Sequence, residues 1–132
     1  MNTNMRSSFL CTRAFLPAML ERKRGNIVFV ASVSGLKATP NQAVYSATKF
    51  AQVGFAQGLD HEVREHGIRV SVVAPGGTKT DFALGTGRTL DSPKREKYLL
   101  PEEVADAIVF AVTQPPNMRV FLVGLRPMFE TL

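Results

Sequence analysis

Three short runs of apolar, β-prone residues punctuate the chain: Ile27-Val28-Phe29-Val30-Ala31, Val70-Ser71-Val72-Val73-Ala74 and Val120-Phe121-Leu122-Val123. They are mostly apolar rather than alternating, the pattern of strands covered on both faces of a parallel sheet. Before and between them the period lengthens to that of helices. A first helix is expected over residues 3–22, with Phe9, Leu10, Ala14 and Leu20 among its apolar positions and Pro17 as a kink point. A second is expected over 43–66. There Val44, Ala47, Ala51, Phe55, Leu59 and Val63 recur at three- or four-residue steps and compose one apolar face, with Gly67 following as a C-cap. A third opens at Pro101, where Glu102 and Glu103 suit the positive end of a helix dipole. It continues through Val104, Ile108 and Val112 until Pro115-Pro116 stops it.

Helix, strand, helix, strand, helix, strand is the order of parallel strands joined by helical crossovers, which predicts an α/β, doubly wound sheet. Residues 1–132 read as one domain, with no internal repeat and no low-complexity tract. The stretch 76–100 departs from the pattern. It holds Gly76, Gly77, Gly85 and Gly87 with little periodicity, and a long irregular loop in a compact domain is commonly functional.

Composition narrows the classes. At 132 residues the chain is long enough for one core and short for two lobes. The net charge of +5 raises nucleic acid as a partner, yet the basic residues are scattered. Arg22-Lys23-Arg24, and Lys94, Arg95 and Lys97 around Glu96, have no interleaved aromatics and read as solvated surface, so no nucleic acid is expected. No apolar run approaches the roughly 20 residues of a membrane span, and MNTNMRSS lacks a signal-peptide layout, so no membrane partner is expected. The one cysteine, Cys11, cannot form an internal disulfide, and a reducing cytoplasm is the expected compartment. Cys11, His61 and His66 read as packing or surface residues, and no ligand spacing suggests a metal.

The chemistry concentrates in Tyr45-Ser46-Ala47-Thr48-Lys49, which puts a phenol and an ammonium at i and i+4 on one helix face. A free tyrosine titrates near about 10, too high for acid–base work at neutral pH, and a cation one turn away favours the phenolate. The spacing alone is a weak signal, a common surface pair. Ser32 strengthens it, because it lies just beyond the first strand. The loop from Pro75 lies just beyond the second, and open α/β sheets bind ligands beyond the carboxyl ends of their strands. The rival reading is that Ser32 caps a turn with Ser34 and Gly35.

Asn4, Ser32, Tyr45-x-x-x-Lys49 and Pro75-Gly76-Gly77-Thr78-Lys79-Thr80 resemble, in order and spacing, the Asn, Ser, Tyr-x-x-x-Lys and Pro-Gly-x-x-x-Thr elements of the short-chain dehydrogenase/reductase family. The likeness covers most of the chain, through SSFLCTRAFLPAML, GNIVFVASVSG, YSATKFAQVGFAQGL and HGIRVSVVAPGGTKTDF. It implies a Rossmann-like, doubly wound parallel sheet, here truncated to about three strands with flanking helices. It also implies hydride transfer between NAD or NADP and a small-molecule carbonyl/alcohol substrate. Tyr45 would be the general acid or base, and Ser32 would hydrogen-bond the substrate oxygen. Lys49 would lower the tyrosine pKa and hold the nicotinamide ribose, and Asn4 would anchor a relay water. Pro75, Gly76, Thr78 and Thr80 would line the nicotinamide end, and the loop from Asp81 to Leu100, within the 76–100 substrate-loop region, would close over the substrate, with Phe82, Leu84, Leu90 and Tyr98 suggesting a partly apolar pocket.

The family's glycine-rich first turn and its Asn-Asn-Ala-Gly element have no counterpart here, which leaves the choice between NAD and NADP open. Met1 is accordingly expected to be an internal methionine of a longer parent. Alone, the chain would expose the edge of its first strand and self-associate as a homodimer or homotetramer through helices 3–22 and 43–66. The alternative to an enzyme is a catalytically inactive fragment that only self-associates or joins intact relatives.

Overall fold

A computed structural model describes residues 1–131. Strands β1 (Gly25–Val30), β2 (Ile68–Pro75) and β3 (Leu122–Leu125) form one parallel sheet in the order β1-β2-β3. Gly25 pairs with Ile68 through to Val30 with Val73, and Val72 with Leu122 through to Pro75 with Leu125. β3 falls two residues later than the apolar run predicts. Val120 and Phe121 form instead an extended lead-in, the Val120 carbonyl accepting the Ser71 hydroxyl and the Phe121 carbonyl the Val72 N–H, each at 2.7 Å.

The helices are α1 (Ser7–Arg22), α2 (Ala43–Val63) and α3 (Pro101–Val112). A π-helical turn, Asn2–Arg6, leads into α1, which runs on through Pro17. A 3-10 turn, Arg64–His66, finishes α2, and Gly67 then turns the chain at φ 74°, with Lys23 O only 2.3 Å from where a Cβ would stand. That is the C-cap expected of it. At the start of α3 the Glu103 carboxylate accepts the Leu100 N–H at 2.7 Å.

The sheet is covered on both faces because successive side chains of each strand point to opposite sides. Phe29, Ile68, Val70 and Val72 pack under α2 residues Val53, Ala56, Leu59 and Val63, with Leu16, Met19 and Leu20 of α1 alongside. On the other face Val28, Val73 and Val123 meet Val104, Ala107 and Ile108 of α3. The chain thus crosses from β1 to β2 over one face and from β2 to β3 over the other, while the strands advance in one direction. The two crossovers have opposite hand, and one departs from the right-handed rule for parallel strands.

The buried stripe of α2 keeps the later part of the apolar face read from the sequence, with Leu59 and Val63 buried and Ala51 and Phe55 partly covered, and departs from it at the start of the helix. Val44 is 76% exposed and Ala47 is exposed, whereas Ser46, Thr48, Gln52 and Asp60 are buried. Three of these polar groups are tolerated because they are bonded. Thr48 donates to Tyr45 O, Gln52 to Ser8 and Asn4, and Asp60 pairs with Arg119 ahead of β3. On α1, likewise, Phe9, Leu10 and Phe15 are exposed and Thr12 is buried.

Candidate active site

Because all three strands are parallel, Ser32 beyond β1 and Gly76 beyond β2 lie at one rim of the sheet. Ser32 is buried, and its Oγ accepts the Ser34 N–H at 3.1 Å, capping the 3-10 turn Val33–Gly35. The turn-cap reading is therefore correct, and it leaves the chemistry open: the Ser32 hydroxyl donates to none of the described residues. The turn is fastened to α2 twice. Ser34 Oγ donates to Gln42 Oε1 at 3.0 Å, and at Gly35 a Cβ would lie 2.7 Å from Lys49 O. Only glycine lets this turn approach the backbone of Lys49 so closely.

Tyr45 and Lys49 occupy neighbouring turns of α2, with the Lys49 Nζ 5.9 Å from the centre of the Tyr45 ring. Nζ donates to Val30 O at 3.0 Å. The Ala31 N–H goes to Val73 O, so by strand alternation the Val30 carbonyl points away from β2, toward the open side of β1. Burial of Lys49 penalises its charged form and holds its pKa below the ordinary lysine value. The Tyr45 ring lies 5.7 Å from that of Phe82, at the entrance of the 76–100 segment.

Asn4 is tied to α2 rather than to Lys49. Its Nδ2 donates to Thr48 Oγ1 at 2.9 Å, and its carbonyl accepts from Gln52 Nε2 at 3.2 Å and from the Ser8 hydroxyl at 2.7 Å. Thr48 and Gln52 are the residues sequence reasoning passed over. Their signal was two polar side chains, i and i+4, on a helix otherwise described by its apolar positions.

At the second rim loop the Gly76 N–H reaches Leu125 O at 2.7 Å and the Gly77 N–H reaches Glu130 Oε1 at 2.9 Å. A Cβ at Gly76 would lie 2.3 Å from Glu130 Oε2, so the loop passes close beneath that carboxylate. Pro75 ends β2, Thr78 Oγ1 donates to Gly76 O at 3.2 Å, and Thr80 Oγ1 accepts the Phe82 N–H at 3.3 Å. Nothing in the sequence marked Glu130, which arrives from the far end of the chain.

The 76–100 segment is pinned at both ends. The Lys79 N–H donates to Leu99 O at 2.8 Å and the Leu99 N–H to Gly77 O at 2.9 Å. Within it Arg88 lies 4.9 Å from the Tyr98 ring and 5.7 Å from the Phe82 ring, while its Nη1 donates to Thr78 O at 3.0 Å. Of the four residues expected to make a partly apolar pocket, Tyr98 lines the cavity here, beside hydroxyls and cations, while Phe82 is 56% and Leu90 69% exposed. Arg95, read from the sequence as solvated surface, has a side chain only 16% exposed.

A hydroxyl donor, a phenol and an ammonium at one rim can bind and protonate a ligand oxygen. The same ammonium and the hydroxyls of Thr78 and Thr80 are donors of the kind that a ribose and a carboxamide, the nicotinamide end of a dinucleotide, would need. Among the described residues none forms a glycine-rich turn opening a helix at this rim, so a diphosphate has no cradle in them. No group of three His, Cys, Asp or Glu among the described residues could hold a metal ion. No helix among them is long and apolar enough to cross a membrane.

The profile of the short chain dehydrogenase family matches residues 1–90. An uncharacterized oxidoreductase of Staphylococcus aureus (strain USA300) is 32% identical over 126 residues, which are 96% of this chain and 52% of that protein. One from Staphylococcus epidermidis is 36% identical over 126 residues, 96% of this chain and 53% of that protein. The chain thus spans about half the length of the curated relatives it matches. Among solved structures, serine dehydrogenase from Escherichia coli superposes with a TM-score of 0.80 at 26% identity, over 98% of this chain and 52% of that one. A metagenomic short-chain oxidoreductase in complex with NADP gives 0.72 at 29%, over 96% and 49%. ElxO with NADP bound gives 0.82 at 26%, over 96% and 54%.

Proposed function

The chain belongs to the short chain dehydrogenase family, and on that premise we propose that it provides the proton-transfer half of an NAD(P)-dependent oxidoreductase acting on a carbonyl/alcohol pair. The observation that carries this reading is the Ser32 hydroxyl, whose proton goes to none of the described residues, in a turn that the Gly35 contact holds against Lys49, one helical turn beyond Tyr45. Ser32 donates to the substrate oxygen and stabilises charge that develops there. Tyr45 delivers the proton in reduction and removes it in oxidation. Lys49, whose ammonium stands over the Tyr45 ring, holds the nicotinamide ribose, a role in which the ribose competes with the Val30 carbonyl. Thr78, Thr80, Gly76 and Pro75 border the nicotinamide, and Asn4 positions α2 through Thr48 and anchors a relay water. The cofactor, when bound, supplies or accepts the hydride. NADP in the solved relatives supports trying NADP before NAD.

A second reading has its own support. The chain covers about half of the length of the relatives it matches, and among the described residues β1 has no partner on its outer side. On this reading the isolated chain is inactive and associates with itself or with longer relatives. Phe9, Leu10 and Phe15 on α1, and Val44 and Phe50 on α2, are exposed, and Gly54 and Gly58 leave open space for a close helix, which supports a homodimer or homotetramer.

The test is a chimera in which this chain replaces the matching segment of the Staphylococcus aureus relative. The chimera should oxidise NADPH with a ketone, and Tyr45→Phe should lower turnover by about 10²–10⁴-fold. Undiminished turnover in Tyr45→Phe would remove the proposed acid. Titration of NADPH and NADH into the 132-residue chain then separates the two readings. Saturable binding supports an enzyme in its own right, and none supports the fragment.

A further inference from the structure

A cavity of about 330 Å³ opens within the 76–100 segment. Thr80, Thr89 and Ser92 give it hydroxyls, Arg88, Lys94 and Arg95 give it three cations, and among the described residues no carboxylate lines it. Of the neighbouring acids, Glu96 is engaged by Lys79 at 2.8 Å, and Asp81, with its side chain 88% exposed, forms an ion pair with Arg95 at 3.5 Å. One exposed carboxylate offsets three gathered cations only in part, and an anion placed among them relieves the remaining repulsion.

The arginines are held in place before any ligand arrives. Arg95 is mostly buried, and Arg88 is flanked by the Tyr98 and Phe82 rings with Nη1 bonded to Thr78 O. The remaining N–H groups of Arg88 donate to none of the described residues. A planar guanidinium fixed in this way loses little freedom on binding an oxyanion, which it can grip with two parallel bonds.

The cavity is also next to the reacting centre. One 5.7 Å step joins the Tyr45 and Phe82 rings, and a second 5.7 Å step joins the Phe82 ring to the Arg88 guanidinium. Thr80 belongs both to the cavity and to the rim loop.

We propose that this cavity is an oxyanion site that receives a carboxylate or phosphate carried by the substrate, a short chain away from the carbonyl presented to Tyr45. The word substrate rests on the dehydrogenase reading; anion binding by the cavity does not.

The experiment follows the arginine Nε–H resonances of the intact chain by NMR. Levulinate, its neutral methyl ester and inorganic phosphate are titrated separately at low ionic strength. Levulinate or phosphate should shift Arg88 and Arg95 saturably, and the methyl ester should not. The tighter of the two anions identifies the group recognised. Lys94→Gln, on the exposed side of the pocket, and Arg95→Gln should each weaken binding, and together by about tenfold. Equal shifts from the ester, or no saturable shift from either anion, would overturn the proposal. Failure of the dehydrogenase reading looks different: the chimera then shows no Tyr45-dependent turnover while the anion shifts persist.

Discussion

β1 and β2 carry apolar stretches that look alike on paper, and the fold treats them differently. From Val70 to Ala74 every residue of β2 is buried, because β2 has a strand on each side and helices on each face. Among the described residues β1 pairs only with β2; Ile27 and Val28 are partly covered and Val30 is 44% exposed. Along its open side runs a cavity of about 360 Å³ between α1 and the sheet, bordered by Cys11, Phe15, Met19, Ile27 and Val30. An apolar run is enough to make a strand, but its burial is set by neighbours. Unpaired strand edges are where other chains attach. One acceptor on that edge, Val30 O, is already taken by Lys49, so the edge and the proposed proton-transfer site are coupled.

The largest effect should come from shaving the two strands. Ile68→Ala, at a fully buried position, should cost about 2–5 kcal/mol, whereas Val30→Ala should stay within about 0.5 kcal/mol. Denaturant titration of both variants reads the difference, and equal losses would break the contrast. A smaller effect is expected on association. Val30→Lys puts a charge at the open edge and, if the chain self-associates as proposed, should weaken that association about tenfold with the fold intact, read by sedimentation across concentrations. An unchanged association constant would move the contact to the exposed helix faces.

The smallest effect concerns Lys49. Its folded pKa is lowered by burial, so between that value and the unfolded one the unfolded chain binds more protons, and stability rises with pH through this window. Lys49→Met should flatten the rise, measured as the difference in Tm between the two proteins toward alkaline pH. Occupation of the β1 edge by another chain should compete for Val30 O and alter the Lys49 titration. A titration indifferent to association would uncouple edge and site.

Much of this architecture was legible in the chain. The three apolar runs, Pro101 with its acidic first turn, and Gly67 as a stop all act through local backbone preferences that neighbouring residues cannot hide. The i, i+4 spacing of Tyr45 and Lys49 is equally local. The polar part of the buried side of α2 was not legible, because Ser46, Thr48, Gln52 and Asp60 look solvent-facing, and three of them are bonded to partners on other elements. Nor was the start of β3, since Val120 and Phe121 are as strand-prone as the residues that follow. The cationic cavity escaped for the same reason: Lys94 and Arg95 read as surface until Arg88 and the Tyr98 ring are brought beside them.

By itself, then, the sequence determined the order of elements, the parallel sheet they imply, and a phenol–ammonium pair following a strand-end serine. Those properties depend on covalent spacing and short-range preference. Tertiary structure alone decided which polar residues of α2 are covered, that Gly35 brings the Ser32 turn onto Lys49, that Lys49 caps the open edge of β1, and that three cations share one cavity. Each depends on contacts between residues distant in the chain, where burial, hydrogen bonding and charge are set by what folding brings near.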